Sequence, residues 1–206
     1  MDTWDMITAD RGTFADYLAT LTDAQWAAPS LCTEWSVKDV VAHLLVPPTM
    51  SKGKVFLAFA GSGFNLDKMS GKLAKRITGQ LSNADVVATV RSTAGVHRAP
   101  PGLQPVGMLA ELLVHAADIS MAIDRPLQLP VAHHVVALEH LKSVQPVLGC
   151  KRRIAGLRLR ATDTDWTTGD GPLVEGDVQH LIAAMTGRTS ALSGLTGEGV
   201  ATLRGR

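Results

Sequence analysis

Two side chains that could carry chemistry, Glu111 and His115, lie four residues apart within a strongly apolar segment. The segment from Pro105 to Pro126 is predicted to be one helix, because proline suits a first helical position and also stops a helix that precedes it. Residues four apart share a helix face, and burying a carboxylate and an imidazole costs on the order of several kcal/mol unless each has a partner. We therefore predict that Glu111 and His115 bind a metal ion.

A third candidate ligand, His43, lies in a second predicted helix. Ser36 and Asp39 have the spacing of a capping box that begins this helix, and Pro47-Pro48 is expected to end it. His43 lies on or beside the apolar stripe of the helix. Two histidines and one glutamate are an established ligand set for catalytic zinc, which keeps one position open for water or substrate. The sequence therefore indicates a metal site built from two helices.

Each of these candidates also has an ordinary structural interpretation. A lone histidine on an apolar helix face is more often a core residue that is hydrogen-bonded within the protein. Glu111 and His115 could simply pair with each other, which is worth about 0.2–0.5 kcal/mol on a helix. Spacing alone leaves these alternatives open.

Three further residues could belong to the site. Asp118 lies three positions after His115 and could orient it, or it could form an ordinary salt bridge. Cys32 or His97 could be a fourth ligand, and a closed set of four ligands would indicate a structural metal. Without a basic neighbour in sequence, Cys32 is interpreted as a plain buried cysteine. His97, in a proline-rich loop, is interpreted as exposed.

The elements around these residues are mainly helical as far as Gly149. A first helix is predicted over residues 3–19, an interrupted helical segment over 51–79, a capped helix over 82–95, and a helix from Pro130 to about Leu148. From Cys150 the pattern changes, with strands predicted at 157–162 and 173–175, a helix over 178–186, and a last strand within 197–206. We predict two domains, a helical bundle over residues 1–149 and a small α/β unit over 150–206.

Composition excludes several classes of function. The chain has 20 basic and 19 acidic residues, so it lacks the charge excess that nucleic acids or anionic membranes attract. Its start has no signal-peptide pattern, and no apolar run is expected to reach the length of a membrane span. Its two cysteines are far apart, which favours a reducing cytoplasm. The expected partners are small molecules, and the chain is expected to be a monomer or a homodimer.

A known family shares these features. The segment LTDAQWAAPSLCTEWSVKDVVAHL, residues 21–44, resembles the N-terminal signature of the mycothiol-dependent maleylpyruvate isomerases, which are DinB-like metal-binding four-helix bundles. The later Glu-x-x-x-His-x-x-Asp pattern of the family matches residues 111–118. Residues 159–166, Gly-Asp-Gly-Pro at 169–172 and Met-Thr-Gly-Arg at 185–188 resemble its C-terminal part. The chain departs from the family where Cys-Pro-Gly-Trp-Thr is replaced by Cys-Thr-Glu-Trp-Ser at 32–36.

The resemblance implies a fold, a metal, a co-substrate and a catalytic residue. It implies a DinB-like four-helix bundle with a small C-terminal α/β appendage. His43, Glu111 and His115 would hold a divalent metal, expected to be zinc, with nickel or iron as alternatives. Mycothiol would be the co-substrate. Arg188 matches the arginine that assists in the isomerase, and its alternative role is that of a cation at a helix C-terminus.

The sequence therefore predicts a metal-dependent enzyme that uses a low-molecular-weight thiol, mycothiol, to attack a small electrophile. The reaction would be thiol S-transfer or cis–trans isomerisation of the maleylpyruvate type. The alternative is a non-catalytic metal-binding or sensor module with the same bundle. A helical adaptor without metal is a third interpretation, and it predicts that His43 lies away from Glu111 and His115.

Overall fold

A computed structural model of the chain describes residues 1–100, 102–144 and 149–206. The structure is mainly helical, with one small sheet near the C-terminus. Its helices are α1 (Thr3–Leu18), α2 (Asp23–Ala27), α3 (Val37–Leu44), α4 (Val46–Thr49), α5 (Lys52–Ala60), α6 (Leu66–Thr78), α7 (Asn83–Ser92), α8 (Pro105–Ala122), α9 (Val131–Leu141), α10 (Cys150–Ile154), α11 (Val178–Met185), a 3₁₀ helix (Thr189–Gly194) and α12 (Gly199–Arg204). The predicted fold class, a helical bundle with a small C-terminal α/β part, is confirmed.

Helix α8 is the centre of the bundle. It packs against α1, α3, α9 and α11, and most of its side chains are buried. Pro105 occupies its first position, as predicted. The helix ends at Ala122 rather than at Pro126, because Asp124 adopts a left-handed conformation with φ of 48°. The predicted central helix is therefore confirmed with a shorter C-terminal end.

Two other helix ends differ from the prediction. Helix α3 ends at Leu44, before the two prolines. Pro47 and Pro48 lie within the next short helix, α4. Proline is tolerated there because an N–H in the first turn of a helix has no partner within the helix, so its absence costs nothing. Helix α9 ends at Leu141 rather than near Leu148, and residues 145–148 lie outside the described part of the chain.

The C-terminal part contains three strands, β1 (Arg158–Ala161), β2 (Thr167–Thr168) and β3 (Leu173–Gly176), in the order β2-β1-β3. Strand β1 is antiparallel to β2 and parallel to β3. The short β2 was not predicted, and the strand predicted within 197–206 is wrong, because α12 forms there.

One hydrophobic core runs from α1 to α12, so the bundle and the sheet-bearing part share buried contacts. Helix α11 supplies much of the connection, since it packs against both α8 and α9. The division into domains at residue 149 stays a prediction.

One feature of α8 corrects an expectation about membranes. By length and apolar composition alone, α8 could cross a membrane, although the sequence predicted no segment long enough to do so. In this fold 67% of the helix is buried within the protein, as befits a central core helix.

Candidate metal centre

Helix α3 carries His43, and its N-terminus is fixed by the predicted capping box. The Ser36 hydroxyl accepts from the Asp39 N–H at 3.2 Å, and the Asp39 carboxylate accepts from the Ser36 N–H at 2.9 Å. Lys75 of α6 donates to the same carboxylate at 2.6 Å. Because Val37, Val40 and Val41 are fully buried, the rotation of the helix is also fixed. Capping and core packing together orient His43.

The Asp39 carboxylate should make the stability of α3 depend on pH. Burial by itself would raise the pKa of Asp39, but hydrogen bonds from Lys75 and Ser36 outweigh it and lower that pKa. A lowered pKa in the folded state stabilises the fold above the unfolded-state pKa, about 3.9, and this contribution is lost as the pH falls further. We expect Asp39→Asn to lower the free energy of unfolding by about 1–2 kcal/mol at pH 7 and by less at pH 3.

Urea denaturation at both pH values measures this difference. Asp67→Asn, which alters an exposed aspartate in the first turn of α6, is the control and should lower the free energy of unfolding at pH 7 by less than about 1 kcal/mol. A penalty for Asp39→Asn that is equal at pH 7 and pH 3 would contradict the prediction.

His43 of α3 meets Glu111 of α8, although 68 positions separate them in the sequence. His43 Nε2 donates to Glu111 Oε1 at 2.8 Å, and both side chains are partly buried. The other ring nitrogen, His43 Nδ1, is buried and has no hydrogen-bond partner among the described residues. Contacts within the protein therefore do not satisfy this imidazole completely, as expected of a group that also binds a ligand.

His115 lies beside His43, with 5.2 Å between the ring centroids. Its Nδ1 donates to Asp118 Oδ2 at 2.9 Å. This bond fixes the ring orientation and leaves Nε2 as the nitrogen with a free lone pair. Metal-binding histidines are commonly held by a carboxylate in this way. The suggestion that Asp118 could orient His115 agrees with this contact.

The donor atoms of His43, Glu111 and His115 all lie within 4.8 Å of one another, so the three side chains could hold one metal ion. The chemistry of this set, two imidazoles and one carboxylate, suits zinc. No fourth His, Cys, Asp or Glu joins the group within the described residues. The residues therefore fit a divalent metal with an open position.

Charge around Glu111 favours its anionic form. Burial would raise the pKa of Glu111, but the hydrogen bond from His43 and electrostatic interactions with His43, His115 and Arg11 outweigh it and lower that pKa. The side chain is thus held as the carboxylate that metal binding requires.

Arg188 reaches the site from the C-terminal part of the chain. Gly187 ends α11 with φ of 96°, a conformation that glycine adopts without strain, and turns the chain so that Arg188 faces α8. The guanidinium binds Asp118 through two bonds, Nε to Oδ1 at 2.8 Å and Nη2 to Oδ2 at 2.7 Å. Its Nη1 donates to the Thr186 carbonyl at 3.0 Å. Asp118 therefore connects Arg188 to His115. The three guanidinium nitrogens of Arg188 all donate to acceptors within the protein.

Cys32 belongs to the site, which its sequence neighbours did not indicate. It is half-buried rather than buried, and its thiol donates to Asp118 Oδ2 at 3.0 Å. Burial raises the pKa of this thiol to about 12, and the Asp118 carboxylate adds to the rise. Cys32 is thus a neutral donor beside Asp118, and it does not join the group formed by His43, Glu111 and His115.

One further candidate, His97, lies elsewhere. His97 is exposed and stacks on Trp4 with 5.0 Å between the ring centroids, so it is not grouped with the site. Arg11 of α1, by contrast, is buried close enough to Glu111 to affect its charge, and the sequence interpretation missed it. Its position in register with Ile7 and Leu18 on the buried face of α1 was the available signal.

Comparison with known proteins agrees with the resemblance noted from the sequence. Residues 8–76 match the family model of the mycothiol maleylpyruvate isomerase N-terminal domain, a range that includes His43 but not Glu111 or His115. No curated protein sequence matches the chain. A crystal structure of the mycothiol-dependent maleylpyruvate isomerase is similar in fold, with a TM-score of 0.59 at 14% identity over 95% of this chain and 91% of that one.

A histidine-to-alanine mutant of the same enzyme gives a TM-score of 0.60 at 13% identity, with the same coverage of both chains. At this level of identity the likeness concerns the fold. The resemblance to the family is confirmed for the N-terminal sequence and for the fold of the whole chain.

Proposed function

We propose that this chain, with the N-terminal sequence pattern and the fold of the mycothiol-dependent maleylpyruvate isomerases, is a metal-dependent enzyme that uses mycothiol to attack a small electrophile. The observation that carries the proposal is the convergence of His43, Glu111 and His115 from two helices. A helical adaptor without metal predicts His43 elsewhere, whereas the distance from its Nε2 to Glu111 Oε1 is 2.8 Å.

The absence of a fourth donor within the described residues supports a catalytic rather than a structural site. A bound divalent metal, expected to be zinc, would supply Lewis acidity that lowers the pKa of a coordinated thiol or water. The chain's own contribution is to keep Glu111 ionised, to present the Nε2 atom of His115 through its bond to Asp118, and to hold Arg188 close by.

The reaction itself needs only a thiolate and a conjugated carbon–carbon double bond. The sulfur electron pair forms a C–S bond, and the π electrons of the double bond move onto the electron-withdrawing group. The former double bond can then rotate. Return of those electrons expels the thiolate and leaves the isomer, whereas protonation of the adduct leaves a thioether. Isomerisation and S-transfer therefore share their first step.

The test is a panel of electrophiles, assayed with and without mycothiol on zinc-loaded protein. Maleylpyruvate represents isomerisation, and simple unsaturated carbonyl compounds represent S-transfer. We expect turnover only when both mycothiol and metal are present. Thiol-independent turnover would refute the use of mycothiol. No turnover of any electrophile by protein shown to contain stoichiometric zinc would refute the proposed activity and favour a sensor module.

A cytoplasmic location is part of the same proposal. Both cysteines are free thiols in the structure, which agrees with a reducing compartment. The oligomeric state, monomer or homodimer, stays a prediction that sedimentation analysis can test.

A further inference from the structure

A buried cation, Arg11, faces a cavity next to the candidate metal centre. Its side chain projects from the core face of α1, and the residue is only 7% exposed. Nη1 donates to the carbonyls of Ala94 and Val96 at 3.3 and 3.1 Å. Within the described residues no carboxylate lies within ion-pair distance of Arg11, and neither Nε nor Nη2 has a hydrogen bond. A buried guanidinium without a carboxylate partner is unusual, because buried charges in proteins are normally paired.

The cavity that Arg11 lines also reaches Glu111. Its other walls are largely apolar and come from α1, α3, α4, α7 and α8, with Phe14, Pro47 and Met108 as examples. The cavity has a volume of about 20 Å³, which is room for one or two water-sized atoms. It therefore has room for the oxygen atoms at the end of a small molecule whose reactive part lies at the centre formed by Glu111 and its two histidines.

Arg188, the arginine that the family resemblance indicates, is already occupied in this structure. Both oxygens of Asp118 accept from it, and its third nitrogen donates to a carbonyl. The guanidinium fork matches a carboxylate in geometry and in charge, so a ligand carboxylate prefers an arginine whose donors have no such partner. Arg11 meets this condition, since its Nε and Nη2 have no hydrogen bond among the described residues and it lines the same cavity as Glu111.

We propose that Arg11 binds a carboxylate of the electrophilic substrate and so makes the enzyme prefer anionic over neutral electrophiles. The inference rests on the proposed function, because it assigns the substrate class of the same site. The test distinguishes this role from two others, in which Arg11 only holds α1 against the turn at residues 94–96 or only supports the charge of Glu111.

The experiment compares an α,β-unsaturated monocarboxylic acid with its methyl ester, using zinc-loaded protein and mycothiol. For Arg11→Gln we expect kcat/KM for the acid to fall about 10- to 100-fold, the usual size of a lost hydrogen bond to a charged group. The kcat/KM for the ester should change less than about threefold, because the ester has no charge for Arg11 to bind. Arg11→Lys, which keeps the charge but not the fork, should lie between wild type and Arg11→Gln for the acid.

Arg91→Gln is the matched control, since Arg91 is an exposed arginine on α7 whose carboxylate partner is Asp16. Arg91→Gln should leave kcat/KM unchanged for both the acid and the ester. Equal losses of kcat/KM for the acid and the ester in Arg11→Gln would overturn the inference. They would favour a role in which Arg11 only holds α1 against the turn at residues 94–96. A loss of zinc stoichiometry in Arg11→Gln with equal losses would favour support of Glu111.

A binding measurement separates this inference from the proposed function. Propionate titrated into zinc-loaded wild type should shift NMR signals of α1 and α8 saturably, and Arg11→Gln should abolish the shift while Arg91→Gln retains it. If no electrophile is turned over but propionate binding depends on Arg11, the proposed function fails and the carboxylate site stands. If electrophiles are turned over but propionate binds equally to wild type and Arg11→Gln, the inference fails alone.

Discussion

Replacement of His43 by alanine is expected to abolish stoichiometric zinc binding while leaving the fold intact. The substitution removes one of three donors that lie within 4.8 Å of one another. Even the loss of a group that only orients a ligand typically costs about 10- to 100-fold in metal affinity, so the loss of a ligand should cost more than about 100-fold. Metal analysis after reconstitution and gel filtration, together with a competitive zinc titration, measures the effect.

His97→Ala is the matched control for this experiment. His97 is also a histidine next to an aromatic ring, but it is exposed and stacked on Trp4. It should retain one zinc per chain. Equal zinc content in His43→Ala and His97→Ala would show that the three-residue group is not a metal site, and wild type that takes up no zinc would remove the basis of the proposed function.

Replacement of Asp118 by asparagine is expected to be strongly destabilising. The carboxylate is fully buried and accepts hydrogen bonds from His115, Arg188 and Cys32. Breaking a buried ion pair by removing one partner costs about 3–5 kcal/mol, because the remaining charge is left uncompensated. Urea denaturation at pH 7 should show a loss in that range, and zinc affinity should also fall because His115 loses its orienting partner.

A double mutant distinguishes this account from a general packing defect. Arg188→Met removes the charge that Asp118→Asn leaves unpaired, so the double mutant should be more stable than the sum of the two single losses predicts. Asp16→Asn breaks an exposed pair with Arg91 and should cost at most about 1 kcal/mol. Strict additivity of the Asp118 and Arg188 substitutions would contradict the expected coupling.

The sequence was sufficient to predict the local elements that carry the candidate ligands. Ser36 and Asp39 identified the start of α3 by a hydrogen-bond pattern that involves only neighbouring residues. The spacing of Glu111 and His115 placed them on one face of α8, since helical periodicity is also local. These predictions succeeded because each depends on interactions between residues three or four apart.

The contacts between distant segments could not be predicted in the same way. Cys32 was judged by its sequence neighbours, whereas its pKa is set by burial and by Asp118, which lies 86 positions away. The role of Arg11 was not predicted, although its register places it on the buried face of α1. His43 was proposed as the third candidate ligand because it lies on or beside the apolar stripe of its helix and the family resemblance supports it, but spacing within one helix carries no information about its distance from Glu111.

The link between Asp118 and Arg188 also limits how this chain could be recombined with its relatives. The two residues stand 70 positions apart, on α8 and just after α11, and each neutralises the other inside the protein. A hybrid that inherits its bundle from one parent and its C-terminal part from another keeps this pair only if both parents carry it. Crossovers between residues 118 and 188 should therefore yield viable hybrids mainly among parents that match at both positions.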